Sequence, residues 1–356
     1  MTNDPRASDA RPTRFESVGL YLPERIVTTK ELVDRLQQPP VFDLQHFTGI
    51  ESRHERAEHE DTLTLCVEAA NDCLSRSKYD AKDLDVIISC SITRVRGKAN
   101  YYLEPAVSLW VKNELGARTA IHLDVSNACA GMFTGVYLLD SMIKSGAVRN
   151  GMVVSGECNS PIYETAVREI DSPFDEQFAS LTVGDAATAV IMDQHSTNAD
   201  QLHYIEMITC SESAYLCLGK PSLKSTGIAL YTKNSKLHGS DNLKVWPFYV
   251  KKLLADKGTD FASEGFDHLV PHQLGTRFTQ KSVGLAEKGL GTKLPPPIHV
   301  LKSCGNTSST SHFVALYLAL QDGRVQAGDK LIFYPAASGI VSGCIAVTVS
   351  DMGLSA

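Results

Sequence analysis

The sequence predicts an α/β fold made of two similar halves, and three observations carry that prediction. Short β-branched runs such as LDVIISC (84–90) alternate with helix-period stretches such as DTLTLCVEAANDCLSRS (61–77). The alternation resumes, more loosely, after the polar stretch QHSTNADQ (194–201). Each half also holds a strand that runs into a helix through a turn bearing reactive residue types, around Cys129 in the first half and around His272 and Asn306 in the second.

Taken in order, residues 1–14 read as a disordered leader, 15–197 as the half that carries Cys129, and 202–356 as the half that carries His272 and Asn306. FESVGLYLP (15–23) reads as a strand ended by Pro23, and TTKELVDRL (28–36) as a helix capped by Thr28 or Thr29. Residues 106–115 predict a helix with Gly116 as its C-cap. IHLDV (121–125) reads as a buried strand, followed by a helix through Met132, Val136, Leu139 and Met142. GMVVSGE (151–157) and LTVGDAATAVIMD (181–193) supply further strands, while 163–180 shows no clear period. Beyond the midpoint, LKVWPFYVKKLLA (243–255) predicts a helix from about Trp246 with Pro247 in its first turn. FDHLVPHQLGTRF (266–278) and IHVLKSCGNTSSTSHFVALYLAL (298–320) each read as strand, turn and helix, and DKLIFYPAASGIVSGCIAVTVSD (329–351) as two strands around a small-residue turn.

Composition narrows the function. A hydrophobic share of 43% and a charged share of 21% are those of an ordinary globular chain, long enough to bury a large core. The net charge of −7 gives no basic footprint for nucleic acid or an anionic membrane. No run approaches the roughly 20 apolar residues of a membrane span, and the N-terminus lacks an apolar signal core, so the expected location is cytoplasmic. Nine cysteines without a CxxC pair argue against both a disulfide framework and a zinc site, so no metal is expected.

Cys129 stands at a helix start, where unpaired N–H groups and the helix dipole favour thiolate, and Ala128, Ala130 and Gly131 leave room for a substrate carbonyl. A small buried core residue is the plain alternative. His272 follows an apolar strand and Pro271, where an imidazole can move a proton or donate to an oxyanion, or simply bond within a loop. Asn306 in SCGNTSSTS offers amide donors to a carbonyl, or caps its turn.

ACAGMFTG around Cys129, VPHQLGTRF around His272 and CGNTSSTS around Asn306, in that order, resemble the three active-site motifs of the β-ketoacyl-ACP synthase III group of the thiolase fold. VGLYLPERIVT (18–28), TGIESRH (48–54) and VGDAATAVIM (183–192) extend the resemblance over roughly residues 15–350. It implies a five-layer αβαβα fold and, usually, a homodimer. The resemblance further implies that Cys129 accepts an acyl group as a thioester, while His272 and Asn306 hold the carbonyl of a second thioester as its carbanion forms. Gly339 falls where the family places a backbone donor to the acyl-enzyme oxyanion, beside the Cys129 N–H. The substrates would arrive on an acyl carrier protein or CoA, with no separate cofactor, in fatty-acid-like, polyketide or other specialised-metabolite synthesis.

Three departures stand out. PAASGIVSG replaces a glycine-rich turn, keeping only Gly339 and Gly343. The family's adenine-binding Trp and Arg positions hold Asp43 and Phe47. Glu104 falls where a large apolar residue is usual, and resembles the glutamate that serves as a base in relatives joining two acyl chains head to head. Three activities therefore stay open: decarboxylative condensation with a malonyl thioester, non-decarboxylative joining with Glu104 as base, and cysteine hydrolysis, because Cys, His and Asn in that order also fit a papain-type site.

Overall fold

The computed structural model describes residues 12–354 except 39, 98–100, 173–174, 196 and 198. The predicted leader lies outside the described residues over 1–11, but its last part is ordered: the Thr13 hydroxyl donates to Asp140 at 2.6 Å, and Arg14 pairs with Asp193 and Asp200.

The first half contains β1 (Arg14–Tyr21), β2 (Arg25–Thr28), α1 (Thr29–Asp34), α2 (Leu44–Thr48), β3 (Ser52–Glu55), α3 (Thr62–Arg76), β4 (Val86–Ser89), α4 (Val107–Leu115), β5 (Ile121–Asp124), α5 (Gly131–Lys144), β6 (Asn150–Glu157), α6 (Ser160–Glu169) and β7 (Ala186–Asp193). The second contains β8 (Gln201–Ser213), β9 (Cys217–Pro221), β10 (Ile228–Thr232), α7 (Asn234–Leu237), α8 (Ser240–Asp256), β11 (His268–Pro271), α9 (Thr276–Leu290), α10 (Leu301–Cys304), α11 (Ser311–Gln321), β12 (Lys330–Tyr334), β13 (Ala336–Ala337) and β14 (Gly339–Thr348).

Two mixed sheets form, ordered β1-β7-β6-β4-β5 and β11-β12-β14-β13, with β8 also paired to β14. β1–β7 and β7–β6 are antiparallel and β6–β4 parallel; β8–β14, β14–β12 and β12–β11 repeat that succession. The central core joins residues of both sheets (Val153, Val190, Phe333, Ile345) to Phe133 of α5 and Phe313 of α11, so these two helices lie between the sheets. α3 and α4 pack on the far face of the first sheet, and α8 and α9 on that of the second. This is the αβαβα layering that the resemblance implied.

Local chemistry explains the well-read boundaries. Thr28 and Glu31 form a capping box at α1, Asp61 caps α3, and Gly116 closes α4 at φ 71°. Gly19 lets β1 lie against α3, because a Cβ there would stand 2.2 Å from the Ala69 carbonyl oxygen. Gly19→Ala is therefore expected to destabilise the fold by roughly 1–3 kcal/mol, read as a lowered melting temperature.

Several expectations are corrected. β5 is an edge strand, not a buried one, with Ile121 51% and Leu123 38% exposed. The stretch 163–180, which shows no clear period, holds most of α6, whose polar Tyr163 is buried with its hydroxyl donating to Glu55. α8 starts at Ser240, so Pro247 sits well inside it; Trp246, Pro247 and Val250 are buried, and that packing overrides the lost hydrogen bond. The strand expected at 298–300 shrinks to one parallel bridge between Pro297 and Leu269 of β11, with the Ile298 N–H donating to the Leu269 carbonyl at 2.8 Å; beyond it the Gln273 amide donates to the Ile298 carbonyl at 3.1 Å and accepts from the Val300 N–H at 3.2 Å. Among the described residues no helix is long and apolar enough to cross a membrane.

Candidate active site

Cys129 lies in a single 3-10 turn, Ala128–Ala130, between β5 and α5. Ala128 holds a left-handed φ of 46°, a strained setting for a residue with a side chain, directly before the sulfur. A second turn, Ser308–Thr310, packs on the first and follows Asn306, and Ser308 has φ 56°. Cys129 and Asn306 thereby line one cavity of about 1510 Å³.

Asn306 is fixed on three sides. Its N–H donates to the Thr182 carbonyl at 2.9 Å, its carbonyl accepts from the Gly184 N–H at 3.0 Å, and its Oδ1 accepts from the Ser308 N–H at 2.9 Å. With Oδ1 committed, the Nδ2 hydrogens are the donors left for a ligand. Arg53, wholly buried, braces this loop by donating to the Leu181 carbonyl and the Thr29 hydroxyl. Gly184 is required there, since a Cβ would stand 2.4 Å from the Cys304 carbonyl oxygen and 2.9 Å from the Arg53 Cβ.

His272 follows β11, is 1% exposed and is not among the residues that line the cavity, although Leu274 and Gly275 next along the chain are. Its backbone N–H donates to the Tyr334 carbonyl at 3.0 Å, and neither ring nitrogen has a partner among the described residues. Burial, with His312 adding, holds its pKa well below the ordinary histidine range. The ring is neutral at pH 7 and keeps one N–H to donate.

The electrostatics of Cys129 differ from the sequence expectation of a favoured thiolate. Burial raises the thiol above the ordinary cysteine range, and Cys217 and Glu157 add to the rise. A single 3-10 turn supplies too little field to offset that desolvation. Alkylation of the Cys129 peptide by iodoacetamide is therefore expected to accelerate steadily through pH 9, because the deprotonated fraction keeps growing there. A plateau at or below pH 7 would mean a thiolate at rest.

Glu157 was not singled out by the sequence. It is fully buried and accepts from the Ile92 and Thr93 N–H groups and from the hydroxyls of Thr93, Ser155 and Ser309. Burial raises its pKa. An acidic residue ending the apolar run VVSGE was its only signal.

Gly339 lies at the start of β14, between Ser338 and Ile340, which both line the cavity. Glu104 is exposed and absent from the lining of its own chain's cavity. Asp43 caps α2 through the His46 N–H, and Phe47 lines the cavity with the Arg277 guanidinium 5.0 Å from its ring centroid. Apolar residues such as Phe42, Phe178, Leu230 and Leu243 line the interior, while Lys220, Lys233, Lys236, Arg277 and Lys281 bring cations to it.

Residues 123–210 match the family described as 3-Oxoacyl-[acyl-carrier-protein (ACP)] synthase III, and residues 257–349 match its C-terminal counterpart, together just over half the chain. The chain belongs to the 3-oxoacyl-ACP synthase III family. Among its relatives, the β-ketoacyl-ACP synthase III of Listeria welshimeri is 28% identical over 334 residues, covering 93% of this chain and 96% of that protein. The fold matches synthase III from Aquifex aeolicus with a TM-score of 0.76 and 21% identity, over 94% of this chain and 99% of that one. It also matches Xanthomonas campestris OleA, crystallised with lauric acid and lauroyl-CoA, with a TM-score of 0.80 and 22% identity, over 95% and 99%. The chain is thus a synthase III-like condensing enzyme, an acyltransferase on the α/β thiolase-like fold. Membership in a condensing family sets aside the cysteine hydrolase that the order of Cys, His and Asn left open.

Proposed function

We propose that this synthase III-like enzyme loads an acyl group on Cys129 and extends it by Claisen condensation with a malonyl thioester. The Cys129 sulfur attacks the donor carbonyl, its proton leaves with the carrier thiol, and an acyl-Cys129 thioester remains. The N–H groups of Cys129 and Gly339 steady the tetrahedral oxyanion. The malonyl thioester then loses CO₂ while the His272 N–H and the Asn306 Nδ2 hydrogens hold the enolate oxygen. The carbanion attacks acyl-Cys129, the new C–C bond forms, and the sulfur leaves, giving a β-ketoacyl thioester.

The observation that carries this reading is the shared cavity, which Cys129 and Asn306 both line. Its volume of about 1510 Å³ exceeds the roughly 300–1,000 Å³ usual for a small-molecule pocket, which suits an acyl chain together with a pantetheine arm. The five lining cations suit the phosphate of that arm and an acidic carrier protein. The test is incubation with an acyl-ACP or acyl-CoA pool and malonyl-ACP. β-Ketoacyl-ACP with stoichiometric CO₂ supports the reading, and release of free acid alone overturns it.

A second reading, head-to-head joining of two acyl thioesters, draws on Glu104. This residue is exposed on a loop that also exposes Leu103, and the unpaired edge of β5 exposes Ile121 and Leu123. An apolar sheet edge is a surface that a second copy would cover, and the loop could then deliver its carboxylate to the neighbouring cavity. Glu104→Gln is expected to leave condensation with malonyl-ACP within about threefold of the parent if decarboxylation drives carbanion formation. Joining of two acyl thioesters by the parent enzyme, lost about 10²-fold or more in Glu104→Gln, the scale of a general base, would favour the head-to-head reading.

A further inference from the structure

His312, the second residue of α11, carries no role in the family motif and reads in the sequence as part of an apolar helix. It is wholly buried, and its ring stacks on that of His272 with centroids 5.4 Å apart and 20° between planes. Its Nε2 lies 3.0 Å from the Tyr334 carbonyl oxygen. A carbonyl can only accept, so Nε2 carries the hydrogen, and Nδ1, which has no partner among the described residues, is left as a bare lone pair in the neutral ring. The same Tyr334 carbonyl accepts the backbone N–H of His272 at 3.0 Å. On the other side Phe133 of α5, four residues after Cys129, meets the His312 ring edge-on at 4.9 Å and 67°.

The setting makes a space-filling role a poor explanation. Phe133 and Phe333 flank this point with hydrocarbon. A leucine or phenylalanine would fill the same space without burying an imidazole nitrogen that lacks a partner. Burial holds the His312 pKa down at about 4, so it too is neutral at pH 7.

We propose that His312 is a positioning residue for His272: its ring is the face against which the His272 imidazole stacks, and its Nε2–H anchors the carbonyl that also holds the His272 backbone. The His272 N–H then meets the thioester oxygen in one orientation, already set before substrate arrives. This rests on the condensation reading for the role of His272, though the placement of the two rings does not.

Two variants separate the contributions. His312→Phe keeps a stacked ring and loses the donor to Tyr334; His312→Gln keeps a donor and loses the ring. Acylation of Cys129 and its discharge by malonyl-ACP are timed separately by intact mass. Both variants are expected to slow discharge roughly 10-fold to 100-fold, with acylation changed less than about twofold. In a His272→Ala background, adding His312→Phe is expected to cost less than about twofold more, because the residue acts through His272.

Equal losses in both steps, a loss that persists undiminished without His272, or discharge at the parent rate would each overturn the proposal. A readout independent of turnover is the ¹⁵N ring spectrum of histidine-labelled enzyme, with the His272 signals identified through His272→Ala. Those signals are expected to shift or broaden in both variants. Unchanged His272 signals would overturn the proposal, whereas a parent enzyme that forms no acyl adduct would overturn the condensation reading instead.

Discussion

Cys129→Ala is expected to abolish both acyl loading and condensation, with a fall in rate of roughly 10⁴-fold to 10⁶-fold, the scale on which loss of a covalent nucleophile acts. The substitution removes the only atom proposed to form a bond with the substrate, and it is expected to leave the fold intact. Ala128 keeps its left-handed backbone, the turn is closed by the Ala130 N–H donating to the Asn127 carbonyl at 3.0 Å, and the side chain of Asn127 is tied to Thr134. Unchanged melting with no product is the expected pair of results. Cys217 lines the same cavity, so residual loading in the variant would point to that thiol and would displace Cys129 from its proposed role.

Asn306→Ala is expected to slow condensation by about 10²-fold to 10³-fold, equivalent to about 2.7–4 kcal/mol, while Cys129 still loads. The argument rests on how the amide is held. Backbone bonds to Thr182 and Gly184 fix the residue, and the Ser308 N–H holds Oδ1. The donor is therefore in place before charge develops, which is the condition under which such a hydrogen bond is worth most. Asn306→Asp keeps the shape and replaces a donor by an acceptor, so it should be at least as slow as alanine. Single-turnover discharge of acyl-Cys129, followed by mass, measures both. Acyl loading that falls as far as discharge would mean that the amide serves the turn rather than the reaction.

The sequence was most readable where local chemistry decides the outcome. Thr28 with Glu31, Asp61 before α3 and Gly116 after α4 sit where capping rules put them. The turn carrying Cys129 was legible because a short small-residue segment joins β5 to α5, whereas Asn306 follows the short helix α10 and not the strand that the sequence suggested. Features set by distant partners were hidden. Tyr163 reads as a loop residue until Glu55, 108 positions away, accepts its hydroxyl. Gln273 ends a strand-like segment by bonding across to Ile298 and Val300.

Burial also reversed one electrostatic expectation. The sequence shows a helix start beside Cys129 but not the enclosure of its sulfur, and enclosure is the larger effect. β5 misled in the opposite direction, since Ile121 and Leu123 look like core and instead line an open sheet edge. His312 was invisible for a related reason. One imidazole in the apolar run HFVALYLAL gives no sign that it lies against another from a segment 40 residues earlier in the chain.

The central claim is that one sulfur carries the acyl group between two half-reactions in a single cavity. Pulse–chase mass spectrometry tests it most directly: the protein is exposed to a mixed acyl-ACP and acyl-CoA pool, the adduct is mapped by peptide, and malonyl-ACP is added. An adduct confined to the Cys129 peptide, discharged within one turnover as β-ketoacyl-ACP appears, is the expected result. An adduct on another cysteine, or one on Cys129 that malonyl-ACP does not discharge, would contradict it.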